Sequence, residues 1–351
     1  MNNKIIYNVA ILGLSEIFKR HLSAINLYNH NFKIIGIYAP RIELVNKYSN
    51  ELKCRAYANE YEIYNDANVN CVIILTPNHL HFTQTMQAIS AGKHVILEKP
   101  PAFTVEEINL ISTNATKQNV NVFVVLQYRL NPAVLITKKI IESSMLGSLT
   151  GVSLVQRWQR PHNYFNGWRG NMKTSGGILR EFGIHYLDIM QFLVGLPHVK
   201  YASFYKNKFK HTDVADTIYA LFDFEEFGGN AEITIACEPT NLTSSFIVRG
   251  SNGFIELGGK SLDEITALKL LNMDELQSKI EQIKDNVENN MNDSMTMVTT
   301  ITTPSLTMPP TPYISPNYIK FYEQIICNPE QFSINTTYNV IRLIQDIYEF
   351  E

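Results

Sequence analysis

Cysteine is scarce in this chain. Cys54, Cys71, Cys237 and Cys327 are scattered with no paired spacing, which excludes the usual zinc patterns and leaves reduced thiols as the expectation. An excess of basic charge is also missing: 30 Lys and Arg stand against 33 Asp and Glu, a net charge of −3. Neither nucleic acid nor an anionic membrane surface is therefore an expected partner. Long apolar runs are absent. Val9–Leu14 is broken by Ser15 and Glu16, too short for a signal-peptide core or a membrane span, so a cytoplasmic location is expected. Sequons at Asn114, Asn241, Asn292 and Asn335 read as chance matches in an Asn- and Thr-rich chain, and no internal repeat is found.

What remains is a globular composition. With 351 residues and 45% hydrophobic content, the chain can bury a sizeable core and is expected to form about two domains. In the first part, strand and helix patterns alternate: strands Asn8–Leu12, Phe32–Tyr38, Cys71–Leu75, His94–Leu97 and Val120–Leu126, with helices Ile17–Leu27, Ile42–Leu52, Phe82–Ala91 and Val105–Lys117. Short, mostly apolar strands alternating with helices predict an α/β, doubly wound Rossmann sheet over residues 1–127. From residue 128 to 271 the pattern changes. A helix over about Pro132–Ser144 precedes β-rich runs at Leu149–Trp158, Tyr201–Tyr205, Asp216–Phe224, Gly229–Cys237, Ser245–Arg249 and Phe254–Leu257, separated by turn residues. That predicts an α+β domain with a mainly antiparallel sheet. Residues 272–316 are rich in Asn, Met, Ser, Thr and Pro after an amphipathic piece, Met273–Val287, and read as a low-complexity mobile insertion. Helical patterns over Asn317–Cys327 and Thr336–Phe350 are expected to pack back on the body, within a last segment 317–351.

The most informative stretch is Lys93–Pro100, a buried strand that ends in Glu98-Lys99 before Pro100 stops it. In an open α/β sheet that end faces the ligand crevice, where a lysine can meet both a cofactor and a substrate hydroxyl. Glu181 and His185 are four apart, a spacing that puts both on one helix face, with Asp188 three further on and read as structural. Gly176 and Gly177 just before them allow close backbone approach, and an imidazole titrates near neutrality as an acid/base group should. Arg129 offers a fork suited to a substrate carboxylate or phosphate.

Thr76-Pro-Asn-His-Leu-His81, Ala91–Pro100, Gln127–Pro132, Gly167-Trp-Arg-Gly170, Ser175–Asp188 and Val248–Leu257 together resemble the Gfo/Idh/MocA family of nicotinamide-dependent sugar oxidoreductases. Within it, the Trp-Arg-Gly and Ser-Gly-Gly…His…Asp pair look most like enzymes that oxidise C3 of a UDP-N-acetylglucosaminuronate. The resemblance implies NAD or NADP as cofactor and a hydride exchanged with a secondary hydroxyl of a sugar or sugar nucleotide. It implies Lys99, His185 and Glu181 as catalytic residues, and Lys99, Arg129, Glu181 and His185 as substrate contacts. For the cofactor it implies Gly13, Ser15, Ile17, Arg41, Thr76, Pro77, Asn78, His81, Glu98, Gln127, Trp168 and Arg169. A homo-oligomer formed through the second-domain sheet is expected.

The first turn departs from the pattern. A dinucleotide fold usually carries Gly-x-Gly-x-x-Gly/Ala, but Gly13-Leu-Ser-Glu-Ile-Phe18 keeps one glycine, with Ser15 and Glu16 beside the pyrophosphate and bulky Phe18 where helix and strand should pack. Where an acid usually binds the ribose, Ala39 stands with Arg41 close by, the pattern for a 2′-phosphate and hence NADP, with weakened binding of either cofactor as the alternative. The alternative to an enzyme is a catalytically weak regulatory protein of the same fold that binds a cofactor or sugar.

Overall fold

The computed structural model describes residues 6–300 and 315–351, with side chains left out of account over 290–300. The insertion read over 272–316 therefore lies partly outside the described residues. The chain divides into two units, one of residues 1–125 and 293–337, the other of 126–292 and 338–351.

In the first unit, strands and helices alternate as β1 (Tyr7–Leu12), α1 (Phe18–Leu27), β2 (Phe32–Tyr38), α2 (Ile42–Leu52), β3 (Arg55–Ala56), α3 (Glu60–Asn65), β4 (Cys71–Ile74), α4 (His81–Ser90), β5 (His94–Leu97), α5 (Val105–Gln118) and β6 (Val122–Val124). The six strands form one parallel sheet in the order β3-β2-β1-β4-β5-β6. β4 is buried at every position, as a parallel strand covered on both faces must be. The order reverses between β1 and β4, so the crevice lies beyond the C-terminal ends of those strands. Helix α5 opens with a capping box between Thr104 and Glu107. β6 is shorter than the run read from Val120 to Leu126.

The second unit carries α6 (Pro132–Glu142), β7 (Leu149–Arg157), α7 (Met172–Ser175), α8 (Ile184–Val194), β8 (His198–Tyr205), β9 (Thr217–Asp223), β10 (Gly228–Thr234), β11 (Ser245–Gly250), β12 (Gly253–Gly258) and β13 (Glu264–Leu270). Its seven-stranded sheet runs β13-β12-β11-β7-β10-β9-β8, antiparallel throughout except between β7 and β10. Both the Rossmann sheet and the mainly antiparallel second sheet match the fold class expected. Alternation in β9 buries Ile218, Ala220 and Phe222 and exposes Tyr219 and Leu221.

Helix α9 runs Met273–Thr300, beyond the amphipathic Met273–Val287 segment. The last two helices part company. α10 (Pro316–Cys327) packs on α1 in the first unit, while α11 (Tyr338–Tyr348) packs on α8 and β8 in the second.

Candidate active site

The turn from β1 to α1 is set by Gly13. Its φ of +96° lies in the left-handed region, and an added Cβ would stand 2.7 Å from the Leu75 carbonyl oxygen, so only glycine fits. Phe18 does not obstruct the packing as its bulk suggested. It is fully buried and meets Tyr48 edge-on at 5.0 Å between centroids, filling the space between α1 and α2. Glu16 turns away to solvent, its side chain 84% exposed beside Lys19, and Ser15 is exposed. Helix α1 thus opens from Ile17 with neither a side-chain cap nor an acid in its first turn, which leaves a partially positive terminus suited to an anion. A dinucleotide pyrophosphate fits this turn. Arg41 is exposed at the start of α2 and makes no ion pair among the described residues, consistent with a phosphate partner.

The loop after β4 is braced from beneath. Thr76 Oγ1 donates to Gln84 Oε1 at 2.6 Å, and Pro77 leads into a single 3₁₀ turn that buries Asn78. His81, expected as a cofactor contact, has both ring nitrogens turned to backbone carbonyls of the protein. It is buried, with Nδ1 2.7 Å from the Pro100 carbonyl and Nε2 2.8 Å from the Thr76 carbonyl, so its ring sits between the two loops and, when neutral, donates to one of them. Burial lowers its pKa below the ordinary histidine value, against the pull of the two carbonyls.

At the end of β5 the Lys99–Pro100 peptide is cis, and Lys99 is half-buried. Glu98, expected as a cofactor contact, is instead engaged by the protein: Oε1 accepts from His21 Nε2 at 3.1 Å and from Tyr318 at 2.7 Å, and Oε2 from the Lys99 amide at 3.2 Å. Burial alone would raise its pKa. The hydrogen bond and charge of His21 outweigh it, helped by the charge of Lys99 and the hydrogen bond from Tyr318, holding the carboxyl at about 2.

In the second unit the chain enters the histidine segment through Gly176 and Gly177, both with positive φ. Tyr348 of α11 fills the space a side chain at Gly177 would take, and its hydroxyl accepts from the Leu179 amide at 3.2 Å. Leu179–Gly183 forms a π turn rather than the α turn the spacing suggested, and such turns are frequent at functional sites. Glu181 is thereby directed at Tyr164 and Arg169: its Oε1 accepts from the tyrosine hydroxyl at 3.0 Å and from Arg169 Nε at 3.3 Å. His185 is 7% exposed and stacks on Tyr128, 4.3 Å between centroids and 14° from parallel. Gln127 is buried, and its side-chain oxygen has no partner among the described residues.

Arg129 does not offer its fork to a ligand. Nε and Nη2 donate to Asp188 at 2.8 and 2.5 Å, with side chains 5% and 1% exposed, so the substrate contact expected of Arg129 is corrected to a buried ion pair. Sequence reasoning missed Tyr164 and Arg160. Arg160 lies over the rings of Trp158, Phe182 and Tyr164 at 4.8, 4.7 and 5.6 Å, while Arg169 lies over Trp168 and Tyr164 at 4.4 and 4.9 Å. Burial lowers the Arg160 pKa, a cost that Tyr164, and after it the charge of Glu181, only partly offset. The Arg160-Pro-His sequence gives no signal of this role. Only the fold brings it to Tyr164.

Two family models match the chain. Residues 7–126 fit an oxidoreductase family with an NAD-binding Rossmann fold, and residues 134–256 fit the GFO/IDH/MocA C-terminal domain. Among curated relatives, levoglucosan dehydrogenase of Pseudarthrobacter phenanthrenivorans is 35% identical over 136 residues, 38% of this chain and 35% of that one. The scyllo-inositol 2-dehydrogenase (NADP(+)) IolW of Bacillus subtilis is 30% identical over 163 residues, 46% of this chain and 45% of that one. The chain thus spans less than half the length of these two relatives. Among solved structures, the WlbA dehydrogenase from Bordetella pertussis, in complex with NADH and UDP-GlcNAcA, superposes with a TM-score of 0.83 at 22% identity, covering 99% of this chain and 95% of that one. Levoglucosan dehydrogenase with NADH and levoglucosan gives 0.74 at 21%, covering 98% and 96%. No described helix is long and apolar enough to cross a membrane. With both domain models matched in order over most of its length, the chain belongs to the Gfo/Idh/MocA oxidoreductase family, whose first domain is an NAD-binding Rossmann fold.

Proposed function

We propose that this chain is an NAD(P)-dependent dehydrogenase acting on a secondary hydroxyl of an acidic sugar or sugar nucleotide. The observation that carries the reading is Lys99, held at the C-terminal end of a central parallel strand by a buried, ionised Glu98. Bound nicotinamide supplies the hydride acceptor. Lys99 hydrogen-bonds the oxygen that becomes a carbonyl and favours charge developing on it. His185, oriented by its stack on Tyr128, takes the hydroxyl proton. Glu181, Tyr164 and Arg169 bind the sugar.

The acidic class is supported by charge. Among the described residues Arg160 and Arg169 bring two cations to the carboxylate of Glu181, a positive excess that an anionic substrate group would balance. A uronate carboxylate has the required shape, as in the UDP-GlcNAcA held by the WlbA protein. A homo-oligomer is supported by the open sheet face, where exposed Tyr201 and Leu221 are register partners and exposed Tyr219 lies on the same strand as Leu221.

The test is a panel of UDP-hexuronates, neutral UDP-sugars, free uronates and polyols, read by the absorbance of reduced nicotinamide. Turnover is expected to favour the acidic members, and Lys99→Met and His185→Asn should each lower it by about 10²–10⁴. Cofactor binding at micromolar affinity without turnover of any sugar overturns the enzyme and leaves a ligand-sensing protein.

A further inference from the structure

Three chain segments converge on the Glu98 carboxylate. His21 comes from α1, 77 residues away, and Tyr318 from α10, 220 residues away. His21 is fully buried, and its ring meets Tyr318 and Tyr322 edge-on at 5.0 and 5.8 Å between centroids. An ionised carboxylate only accepts, so His21 Nε2 carries the proton it donates to Glu98, while Nδ1 on the other side of the ring lies 2.8 Å from the Tyr322 hydroxyl. Tyr318 supplies a second donor to the same oxygen at 2.7 Å, and the other oxygen takes the Lys99 amide. Such a network is a poor way to gain stability, because apolar side chains of similar volume would serve as well or better. Its geometric product is a fixed Lys99 backbone.

We propose that His21, Tyr318 and Tyr322 are positioning residues for Lys99, acting through Glu98, so that helix α10 is part of the reaction machinery despite lying over 200 residues from the lysine motif. The proposal rests on the dehydrogenase reading of Lys99. The charged and titratable groups facing Glu98 are His21, Tyr318, Tyr322, Lys99 and, through its charge, His81. With one donor removed, burial acts on the carboxyl with less opposition, and its pKa rises from the low value the network gives it.

Tyr318→Phe removes one O–H and keeps the ring. Its kcat should fall about 10- to 100-fold, the scale of a small misplacement of a reacting group. KM and the dissociation constant of NAD should stay within about 3-fold, and the loss in kcat should deepen as pH falls. His21→Gln, whose amide still donates, should keep more kcat than His21→Leu. Thermal melting of the ligand-free protein gives a readout apart from activity: Tyr318→Phe should lower the melting temperature more at neutral pH than near pH 2, where the carboxyl is protonated in both proteins. The depressed carboxyl stabilises the fold above the ordinary glutamate pKa, and that contribution is lost only as pH falls toward about 2. Wild-type protein that turns over no sugar overturns the dehydrogenase reading. Wild-type turnover with Tyr318→Phe unchanged, or lowered equally at every pH with a pH-independent melting shift, overturns the positioning role alone.

Discussion

Replacing Arg129 with Met separates a buried ion pair from a substrate contact. Arg129 forks Asp188 through two hydrogen bonds, both side chains are shut off from water, and Gln191 Nε2 adds a third donor to Asp188 at 3.0 Å. Removing the guanidinium leaves a carboxylate in a site with little access to water, with only an amide to satisfy it. Breaking one side of such a pair costs about 3–5 kcal/mol, because the remaining charge keeps its desolvation penalty without its partner. For a domain of this size that corresponds to a fall of roughly 6–20 °C in melting temperature. The double variant Arg129→Met, Asp188→Leu removes both charges and should recover most of the loss, to within about 2 kcal/mol of the wild type, since apolar replacements of a whole pair are often neutral. Calorimetry of the four proteins completes the cycle. If Arg129→Met melts with the wild type while KM for the sugar rises sharply, the guanidinium serves a ligand and the ion-pair argument is wrong.

Phe18→Ala should destabilise the first unit by about 3–5 kcal/mol through the cavity it leaves, and should not tighten dinucleotide binding; a gain in affinity at unchanged stability would contradict the packing described. Ser15→Gly, at an exposed turn position clear of the helix terminus, should leave melting and dinucleotide affinity both nearly unchanged, which equilibrium titration with NAD and NADP can measure; a large gain would show that the side chain obstructs the phosphate. NADP should bind several-fold tighter than NAD, and Arg41→Ala should erase the difference; tighter binding of NAD would remove the 2′-phosphate role. Stability should fall as pH drops through about 6.5, because His81 and His94 have folded pKa values below that of the free side chain and the unfolded chain takes up protons that the folded chain refuses. Denaturation midpoints that rise over the same interval would contradict the burial of both rings.

The first sheet was readable because its physics is local. A strand covered on both faces must be apolar at its buried positions, and Cys71–Ile74 and Val95–Leu97 carry that requirement. Strand β13 escaped notice for the opposite reason: it is an edge strand whose exposed Glu264 and Lys269 break any apolar alternation, as edge strands tend to. Helix α3 is six residues long, below the length at which periodicity can be told from chance. In the site, the chemistry-bearing types were legible and their partners were not. Lys99 announces itself by the strand and proline around it, whereas the contacts of His21 with Glu98, of Tyr128 with His185 and of Arg129 with Asp188 join positions 57 to 77 residues apart. No local pattern encodes such pairs.

The β1–α1 turn shows how a motif and the constraint behind it can part. The glycine pattern records three needs: a left-handed turn, room for a phosphate, and close packing of helix on sheet. Gly13 meets the first in the way the pattern requires, since the Leu75 carbonyl leaves no space for a Cβ. The other two are met by different residues. Close packing is supplied by Phe18, whose ring occupies the space between α1 and α2 that a small residue would have closed by bringing the elements nearer. Room at the helix terminus is kept because Glu16 points to solvent beside Lys19 and Ser15 stays at the surface, so neither carboxylate nor hydroxyl caps α1. Counting glycines therefore underestimates this turn. What a phosphate requires is an uncapped helix terminus reached through a tight bend, and a chain that spends bulk on the far side of the helix can keep that terminus open.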